Sequence, residues 1–353
     1  MAGEGETTVL TGATGFVGSM VLERLIARGA PVTVLIRAAD DATARRRLEE
    51  LALRTWGEEA VVAPVQVLAA DLECDRLGLA PHVYDTLAER AGAVVHCAAS
   101  VRFDLPLDEA HAINVTGTER VVELCERARA SGARARLVHL STAYVHGRMT
   151  ELGRETGPTA PPQFRNTYEM TKHRAERAVA RLGGAAIVRP SIIVGDSQSG
   201  WTSSFNVIYP GLQALLGGDL EVVPGAPDGI LDIVAVDQVV DVVCALLADP
   251  SSSGVVQTVA GEMAPTIDEF ARTAYAHVGL PMTRCVPAAA DQIGVYAPYV
   301  DVRARFEFNR AGKLGMDPLA IEELMPRLLD HAVAADWGRR PHRRPSPTTP
   351  GAR

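Results

Sequence analysis

A glycine-rich turn between an apolar strand and an amphipathic helical pattern is the feature that most constrains the fold of this chain. The run TGATGFVG, residues 11–18, directly follows the apolar stretch Thr7–Leu10. Gly12 allows a tight turn, Gly15 lets the backbone approach a phosphate, and Gly18 lets the helix pack closely on the strand. The spacing G-x-x-G-x-x-G is one residue longer in its first gap than the usual dinucleotide fingerprint. Glycine is also an ordinary turn residue, but this strand–turn–helix context predicts a nucleotide-binding turn.

The first 190 residues alternate between apolar β-branched runs and amphipathic helical patterns. Strands that are apolar throughout and separated by helices indicate a parallel sheet covered on both faces. The predicted strands are Thr7–Leu10, Pro31–Ile36, Val61–Ala69, Ala93–Cys97, Arg136–Leu140 and Ala185–Val188. The clearest predicted helices are Phe16–Arg28, Asp108–Ala130 and Thr167–Leu182. We therefore predict an α/β fold, a doubly wound parallel sheet of the Rossmann type, as an NADP-binding domain over residues 1–190.

The pattern changes after residue 190, where glycine, proline and aromatic residues become more frequent. Helical patterns at Ile267–Gly279 and Leu319–Trp337 follow short apolar stretches. We predict a smaller C-terminal substrate-binding region over residues 191–337, lying over the carboxyl ends of the strands, where ligands bind in such sheets. Residues 338–353 contain five arginines, four prolines and no acid, so we expect a disordered basic tail.

Composition excludes several classes of function. A hydrophobic content of 47% with 22% charged residues describes a soluble globular protein, and a net charge of −8 argues against a nucleic-acid partner. The five scattered cysteines lack a C-x-x-C pair, so we expect reduced thiols and no metal site. No apolar run approaches the ~20 residues of a membrane span, and MAGEGETT is too polar for a secretion signal. We therefore expect no membrane span and a cytoplasmic location.

Tyr168 and Lys172 form a Tyr-x-x-x-Lys pair on a predicted helix, where a separation of four places both side chains on one face. A lysine ammonium near a phenol favours phenolate, so we expect the pKa of Tyr168 to fall from ~10 toward neutrality. Such a tyrosine can protonate a carbonyl oxygen as hydride arrives. Ser141 and Thr142 end the preceding strand, and the Thr142 hydroxyl can hold the substrate oxygen. Ser and Thr also commonly end strands, so neither residue alone indicates a catalytic site. Together with Tyr168 and Lys172, they indicate one only because the set follows the glycine turn in this order.

Cofactor choice is predicted from charge at the end of the second strand. An acid there binds the ribose 2′-hydroxyl of NAD, whereas an arginine accommodates the 2′-phosphate of NADP. Arg37 ends this strand and an arginine run follows at 45–47, so we predict NADPH, with Arg37 and Arg47 near the phosphate. Asp40 and Asp41 oppose this inference, and the arginine run is also compatible with a solvated helix face.

The segments TGATGFVGSMVLERL, VVHCAASVRFDLPLDEAHAINVTGT, LVHLSTAYVHG, NTYEMTK and IVRPSIIVG resemble those of the extended short-chain dehydrogenase/reductases. Within that superfamily the chain is similar to the branch of fatty acyl-CoA reductases and carrier-protein thioester reductases. The segments HCAASVRFD and STAYV indicate this branch. The resemblance covers residues 7–196 well and is much looser after about residue 240.

The resemblance implies a role for each matching residue. Thr142 would polarise the substrate carbonyl, Tyr168 would be the proton donor, and Lys172 would also bind the nicotinamide ribose. Asn114 would brace the active-site water or backbone, and Ser141 would support the site. Including the arginines predicted above, the expected cofactor-binding residues are Gly12, Thr14, Gly15, Phe16, Val17, Gly18, Arg37, Arg47, Asp71, Leu72, Ala98, Ala99, Ser100, Lys172, Pro190 and Ile192.

The function implied by the resemblance is NADPH-dependent reduction of an acyl thioester, either to the aldehyde or, with a second hydride, on to the alcohol. The acyl group would be held by coenzyme A or by a separate acyl or peptidyl carrier protein. An extended reductase or epimerase acting on a free ketone, alcohol or nucleotide sugar is an alternative with the same machinery. A third alternative is a non-catalytic protein that senses NADP(H), although such a protein would not need the catalytic residues Thr142, Tyr168 and Lys172.

Aromatic residues after residue 200 are candidates for the substrate pocket, but the pattern that indicates them is weaker than the motifs above. Trp201 and Phe205 either line an acyl pocket or pack in the core, and residues 201–216 are a candidate side of a channel for a phosphopantetheine arm. His96 and His146 lie beside motif residues but lack metal-ligand spacing, so we interpret them as core or rim residues.

Overall fold

The computed structural model describes residues 6–57, 59–148, 150–157, 161–249, 251–340 and 342–344. The strands β1 to β11 are, in chain order, Thr7–Thr11, Val32–Ile36, Gln66–Ala69, Ala91–His96, Arg136–Leu140, Ala186–Pro190, Ile192–Val194, Val223–Pro224, Ile233–Ala235, Gly254–Thr258 and Cys285–Val286. The helices α1 to α11 are Phe16–Ala27, Asp41–Trp56, Pro81–Arg90, Leu107–His111, Gly117–Ala130, Thr167–Arg181, Ile208–Gly217, Val236–Ala248, Ile267–Val278, Arg310–Lys313 and Ile321–Ala334.

Seven of these strands form one sheet in the order β10-β6-β5-β4-β1-β2-β3, and each pairing in it is parallel. β1 and β2 are buried along their whole length, as expected for strands covered by helices on both faces. The predicted doubly wound Rossmann sheet is therefore confirmed. The strand order reverses direction at β1, between β2 and β4, and ligands bind at such a switch point beyond the carboxyl ends of the strands.

The seventh strand comes from the part of the chain that the sequence assigned to a separate C-terminal region. β10 pairs with β6 along Gly254–Thr258, and α8 packs against α1. A boundary at residue 190 therefore does not separate the sheet from the rest of the chain. The strand was missed because it is a short edge strand that lies outside the strand–helix alternation of the first 190 residues.

The remaining C-terminal elements form a second core beside the carboxyl ends of the strands. Two small parallel sheets, β7 with β9 and β8 with β11, pack with α7, α9 and α11. Buried aromatic residues such as Tyr209, Phe270 and Tyr299 fill this core. The segment Pro287–Tyr299 is a kinked 3-10 stretch that follows β11.

The predicted helix Asp108–Ala130 is divided in the structure. A π turn at Ala112–Thr116 separates α4 from α5 and contains Asn114. Such turns add a residue to a helix and often occur at functional sites. The predicted strand Val61–Ala69 is likewise shorter, because Glu59–Val62 forms a 3-10 turn and the strand starts at Gln66.

Part of the predicted disordered tail lies against the body of the protein. Its described residues are 338–340 and 342–344, and the others fall outside the described residues. Arg344 forms ion pairs with Glu23 and, at 2.9 Å, with Asp196, and its backbone N–H donates to the Thr55 carbonyl. This contact differs from the expected disorder because two partly buried carboxylates receive the guanidinium, which composition alone does not indicate. None of the described helices is long and apolar enough to cross a membrane.

Candidate active site

The glycine turn after β1 leaves the N-terminus of α1 open. A Cβ on Gly18 would lie 2.0 Å from the Gly12 carbonyl oxygen, and one on Gly12 would lie 2.6 Å from the Ala98 nitrogen. Gly12 also has a φ of +74°. Gly15 is exposed and is the N-cap of α1, with no side chain capping the helix. Free backbone N–H groups at an uncovered helix N-terminus suit a phosphate group, so the turn fits a dinucleotide.

The glycine turn and the predicted catalytic residues line one cavity of about 500 Å³, which we call the catalytic cavity. The predicted residues that line it are Gly12, Gly15, Phe16, Val17, Gly18, Ala99, Ser141, Thr142, Tyr168, Lys172, Pro190 and Ile192. The predicted residues that do not line it are Thr14, Arg37, Arg47, Asp71, Leu72, Ala98, Ser100 and Asn114. One space thus reaches from the helix N-terminus to the Tyr-x-x-x-Lys pair.

The Thr142 hydroxyl lies beside the Tyr168 phenol. It donates to the Pro190 carbonyl at 3.4 Å and accepts from the Tyr144 backbone N–H at 3.2 Å. Burial raises the pKa of Tyr168 to about 12, and the Thr142 hydroxyl only partly opposes this. The expected fall of this pKa toward neutrality is therefore wrong, because burial disfavours the phenolate and outweighs the effect of Thr142.

Lys172 is held to β5 rather than left free in the cavity. Its ammonium donates to the Leu140 carbonyl at 2.7 Å and lies 3.4 Å from His139 Nε2. Burial lowers the pKa of Lys172 to about 8, and burial together with the Lys172 charge lowers that of His139 well below its ordinary value. A neutral imidazole can accept from the ammonium, so two of the three ammonium hydrogens are directed at β5.

Asn114 joins the loop after β4 to the helix that carries the catalytic pair. Its buried side chain accepts from the Ser100 backbone N–H at 2.8 Å and donates to the Ser100 carbonyl at 3.1 Å. It also donates to the Thr171 hydroxyl on α6 at 3.0 Å. The structure thus places Asn114 as a brace of the backbone at residues 98–100, behind the cavity.

The arginines at the end of β2 lie outside the catalytic cavity. Arg37 is 72% exposed and its guanidinium is 3.5 Å from a Glu73 carboxylate oxygen. Arg47 donates to the Arg37 carbonyl, which brings its side chain to the same strand end. Arg45 instead donates to the Val62 carbonyl at 3.0 Å and has a structural role.

An aromatic cluster beside Tyr168 was missed by sequence reasoning. The Phe103 ring lies 5.5 Å from that of Tyr168 and stacks at 5.1 Å on that of Tyr299. The Tyr299 hydroxyl donates to Glu169 at 2.8 Å, and Glu169 pairs with Arg165 in an almost fully buried ion pair. Phe103 belongs to the HCAASVRFD segment, but no pattern in the sequence marks Tyr299.

The two aromatic residues considered for an acyl pocket pack elsewhere. Trp201 is buried against Phe16, with ring centroids 6.2 Å apart, and Phe205 packs on Tyr209 at 5.2 Å. Neither lines the catalytic cavity, whereas Val207 does. Among the described residues, no group of three or more His, Cys, Asp or Glu side chains could hold a metal ion.

The sequence matches the model of the Male sterility protein family over residues 10–243. The chain belongs to this family. It is 30% identical to the fatty acyl-CoA reductase wat of Drosophila melanogaster, over 68% of this chain and 53% of that protein. It is 28% identical to fatty acyl-CoA reductase 1 of Gallus gallus, over 69% of this chain and 54% of that protein. The chain therefore spans about half the length of these curated relatives.

Solved structures share the fold over almost the whole chain. The terminal R domain of the myxalamid PKS-NRPS biosynthetic pathway superposes with a TM-score of 0.79 at 23% identity, covering 96% of this chain and 93% of that one. The Bordetella bronchiseptica enzyme WbmG, solved with NAD and UDP, gives 0.71 at 19% identity, covering 98% and 100%. At these identities the likeness shows the fold alone, an extended Rossmann fold.

Proposed function

We propose that the protein is an NADPH-dependent oxidoreductase that reduces an acyl thioester to an aldehyde and a free thiol, and reduces the aldehyde further to the alcohol. The observation that carries this proposal is the catalytic cavity, which combines an open helix N-terminus with the adjacent hydroxyls of Thr142 and Tyr168. The names of the curated relatives, fatty acyl-CoA reductases, support the choice of substrate.

Some of the residues that would hold the cofactor line the catalytic cavity, and others lie outside it at the end of β2. Backbone N–H groups at the start of α1 would bind the pyrophosphate. The ammonium hydrogen of Lys172 that is not directed at β5 would bind a ribose hydroxyl. Arg37 and Arg47, at the end of β2, would pair with a 2′-phosphate. NADPH, when bound, supplies the hydride that the thioester carbonyl carbon receives.

Two side chains of this protein would stabilise the negative charge that develops on the thioester oxygen. Thr142 and Tyr168 can both donate hydrogen bonds to that oxygen, which stabilises negative charge as the carbonyl becomes tetrahedral. A phenol whose pKa is raised to about 12 is protonated at neutral pH, so Tyr168 can donate its proton to the oxygen. The resulting hemithioacetal returns its hydroxyl proton to the Tyr168 phenolate and expels a thiolate, which takes a proton from water; this leaves the aldehyde and the free thiol.

The aromatic cluster supports an acyl substrate over a nucleotide sugar. Phe103 lies beside Tyr168 and Tyr299 stacks on Phe103, so an apolar surface adjoins the Tyr168 phenol. The Tyr299 hydroxyl is already used by Glu169 and Asn166, at 2.8 Å each. An apolar chain adjacent to the reacting carbonyl would bury its surface against these rings.

The test is a substrate panel with two readouts, NADPH oxidation and thiol release to a thiol-reactive dye. The panel contains acyl-CoAs, acyl thioesters on a carrier protein, aldehydes, ketones and UDP-sugars. We expect one thiol for each thioester consumed, and thiol release about 10²–10⁴-fold slower in Tyr168→Phe. NADPH consumption with a ketone or turnover of a UDP-sugar, without thiol release from any thioester, would contradict the proposal.

A further inference from the structure

A second cavity of about 290 Å³, which we call the distal cavity, lies between α7, α9 and the 287–299 stretch. Leu212, Leu215, Phe270 and Ile293 are typical of the residues that line it. Among the described residues that line it, none carries a formal charge. The catalytic mechanism uses none of these four side chains, so the cavity needs a separate explanation.

The distal cavity adjoins the catalytic cavity. Ile192, Val207, Tyr296 and Tyr299 line both spaces. Tyr299 stacks on Phe103, and the Phe103 ring contacts that of Tyr168. A chain that leaves a carbonyl held at Tyr168 and follows these rings therefore enters the distal cavity.

The backbone at the boundary of the two cavities is strained. Val207 has a φ of +54°, which is rare for a β-branched residue, and it directly precedes α7. Strain of this kind is retained where the surrounding structure requires a particular backbone path. Here it starts α7 at the junction, so that this helix forms one side of the distal cavity.

We propose that the distal cavity binds the alkyl part of an acyl thioester, with room for about ten carbons beyond the carbonyl. An apolar cavity of about 150 Å³ holds benzene, which has six carbons, so about 290 Å³ holds at most about twelve by that ratio. This inference rests on the proposed function. It extends that function by naming a saturated, uncharged chain of medium length as the substrate class.

Chain length should therefore control affinity up to the capacity of the cavity. Each methylene moved from water into an apolar site gains up to about fourfold in binding, so we expect about two- to fourfold for each carbon. Methylenes beyond the cavity stay in water and add little. The dependence on chain length should rise from butanoyl to about decanoyl and then level off.

Gly211 on α7 offers a way to fill the distal cavity without disturbing the core. It lines the cavity, and a Cβ built on it has no neighbouring atom within 4 Å. It lies four residues before Leu215, which also lines the cavity, so the two residues share one face of the helix. Gly211→Leu would add four carbons to the cavity and improve helix propensity.

The experiment measures binding and turnover in the same proteins. S-Butyl-CoA and S-decyl-CoA, thioethers that cannot be reduced, are titrated by calorimetry, and kcat/KM is measured for butanoyl-, hexanoyl- and decanoyl-CoA. The matched control is Gly217→Leu, because Gly217 is on the same helix, is exposed and does not line the cavity. We expect S-decyl-CoA to bind at least tenfold more tightly than S-butyl-CoA in the native protein and in the control.

Gly211→Leu should remove most of that preference and lower kcat/KM for decanoyl-CoA relative to hexanoyl-CoA by at least tenfold. Equal affinity for the two thioethers in the native protein, or an unchanged preference in Gly211→Leu, would overturn the inference. If the thioethers behave as expected but no thioester is reduced, the distal cavity stands as an alkyl site and the proposed reaction fails.

Discussion

At the scale of single residues, Tyr168 is suited to give a proton rather than to take one. Burial keeps its pKa at about 12, so the phenol is almost fully protonated at neutral pH. The Thr142 hydroxyl lies beside the phenol, and the Phe103 ring lies 5.5 Å away. A donor with this pKa favours the reductive direction, because the reverse reaction needs the phenolate.

Replacing Tyr168 by Phe keeps the ring in contact with Phe103 and removes the proton donor. We expect turnover to fall by about 10²–10⁴, as is typical of losing a general acid, while NADPH affinity changes little. Single-turnover NADPH oxidation and a fluorescence titration with NADPH measure the two effects separately. Near-native turnover in a chemistry-limited assay would show that another group supplies the proton.

The lowered pKa of Lys172 leads us to predict how kcat/KM depends on pH. Burial lowers its pKa to about 8, below the 10.5 of an ordinary lysine, so it carries a charge below pH 8 and loses it above. Because the charged form would bind the cofactor and favour negative charge on Tyr168, kcat/KM should fall as pH rises through about 8. Arginine stays charged throughout this range. In Lys172→Arg the fall should be absent, whatever the level of residual activity, and an unchanged pH profile would assign the titration to another group.

At the scale of elements, the sequence predicted most where one local pattern determined the structure. The glycine turn was predictable because sterics require glycine at positions 12 and 18, and the buried strands because short apolar runs rich in β-branched residues favour strands when helical patterns flank them. The π turn at Ala112–Thr116 could not be read from the sequence, because a continuous helical pattern does not reveal one inserted residue. β10 and the contribution of Tyr299 depend on long-range packing, which local patterns do not encode.

The arginine at the C-terminal end of β2 leads us to predict a preference for NADPH over NADH. The exposed Arg37 guanidinium has only a 3.5 Å contact to Glu73, so it is available to a 2′-phosphate. A charge-assisted hydrogen bond contributes about 1.5–3 kcal/mol, so Arg37→Ala should weaken NADPH binding about tenfold or more and NADH binding little. The matched control is Arg46→Ala on α2, whose side chain is 66% exposed and 4.0 Å from Glu50. Equal loss for both cofactors in Arg37→Ala, or a native preference for NADH, would contradict the NADPH assignment.

At the scale of the whole molecule, the C-terminal part of the chain packs on the nucleotide side at two places. β10 completes the sheet and α8 packs on α1, so these two C-terminal elements belong to the core of the nucleotide side. The residues 342–344 then return to α1. The His342 ring lies 2.9 Å from the Thr202 carbonyl, and the Arg344 guanidinium lies 6.0 Å from the centre of the Trp201 ring.

Arg344 should therefore contribute measurably to stability. Its side chain is 9% exposed, and it pairs with Glu23 and Asp196, whose side chains are 19% and 9% exposed. Removing one partner of a buried ion pair typically costs 3–5 kcal/mol, because the remaining charge is left without compensation. Since two carboxylates would remain here, although both are near the surface, we expect Arg344→Ala to lower the free energy of unfolding by about 3 kcal/mol.

Urea denaturation at pH 7 measures this loss, and Arg339→Ala is the control from the same segment. Arg339 is 71% exposed and lies 3.9 Å from Asp336, an arrangement that contributes less than about 1 kcal/mol. We expect the control to unfold at nearly the native urea concentration. If Arg344→Ala and Arg339→Ala unfolded together, the contact between residues 342–344 and α1 would not exist in solution, and the prediction of a disordered tail would extend to these residues as well.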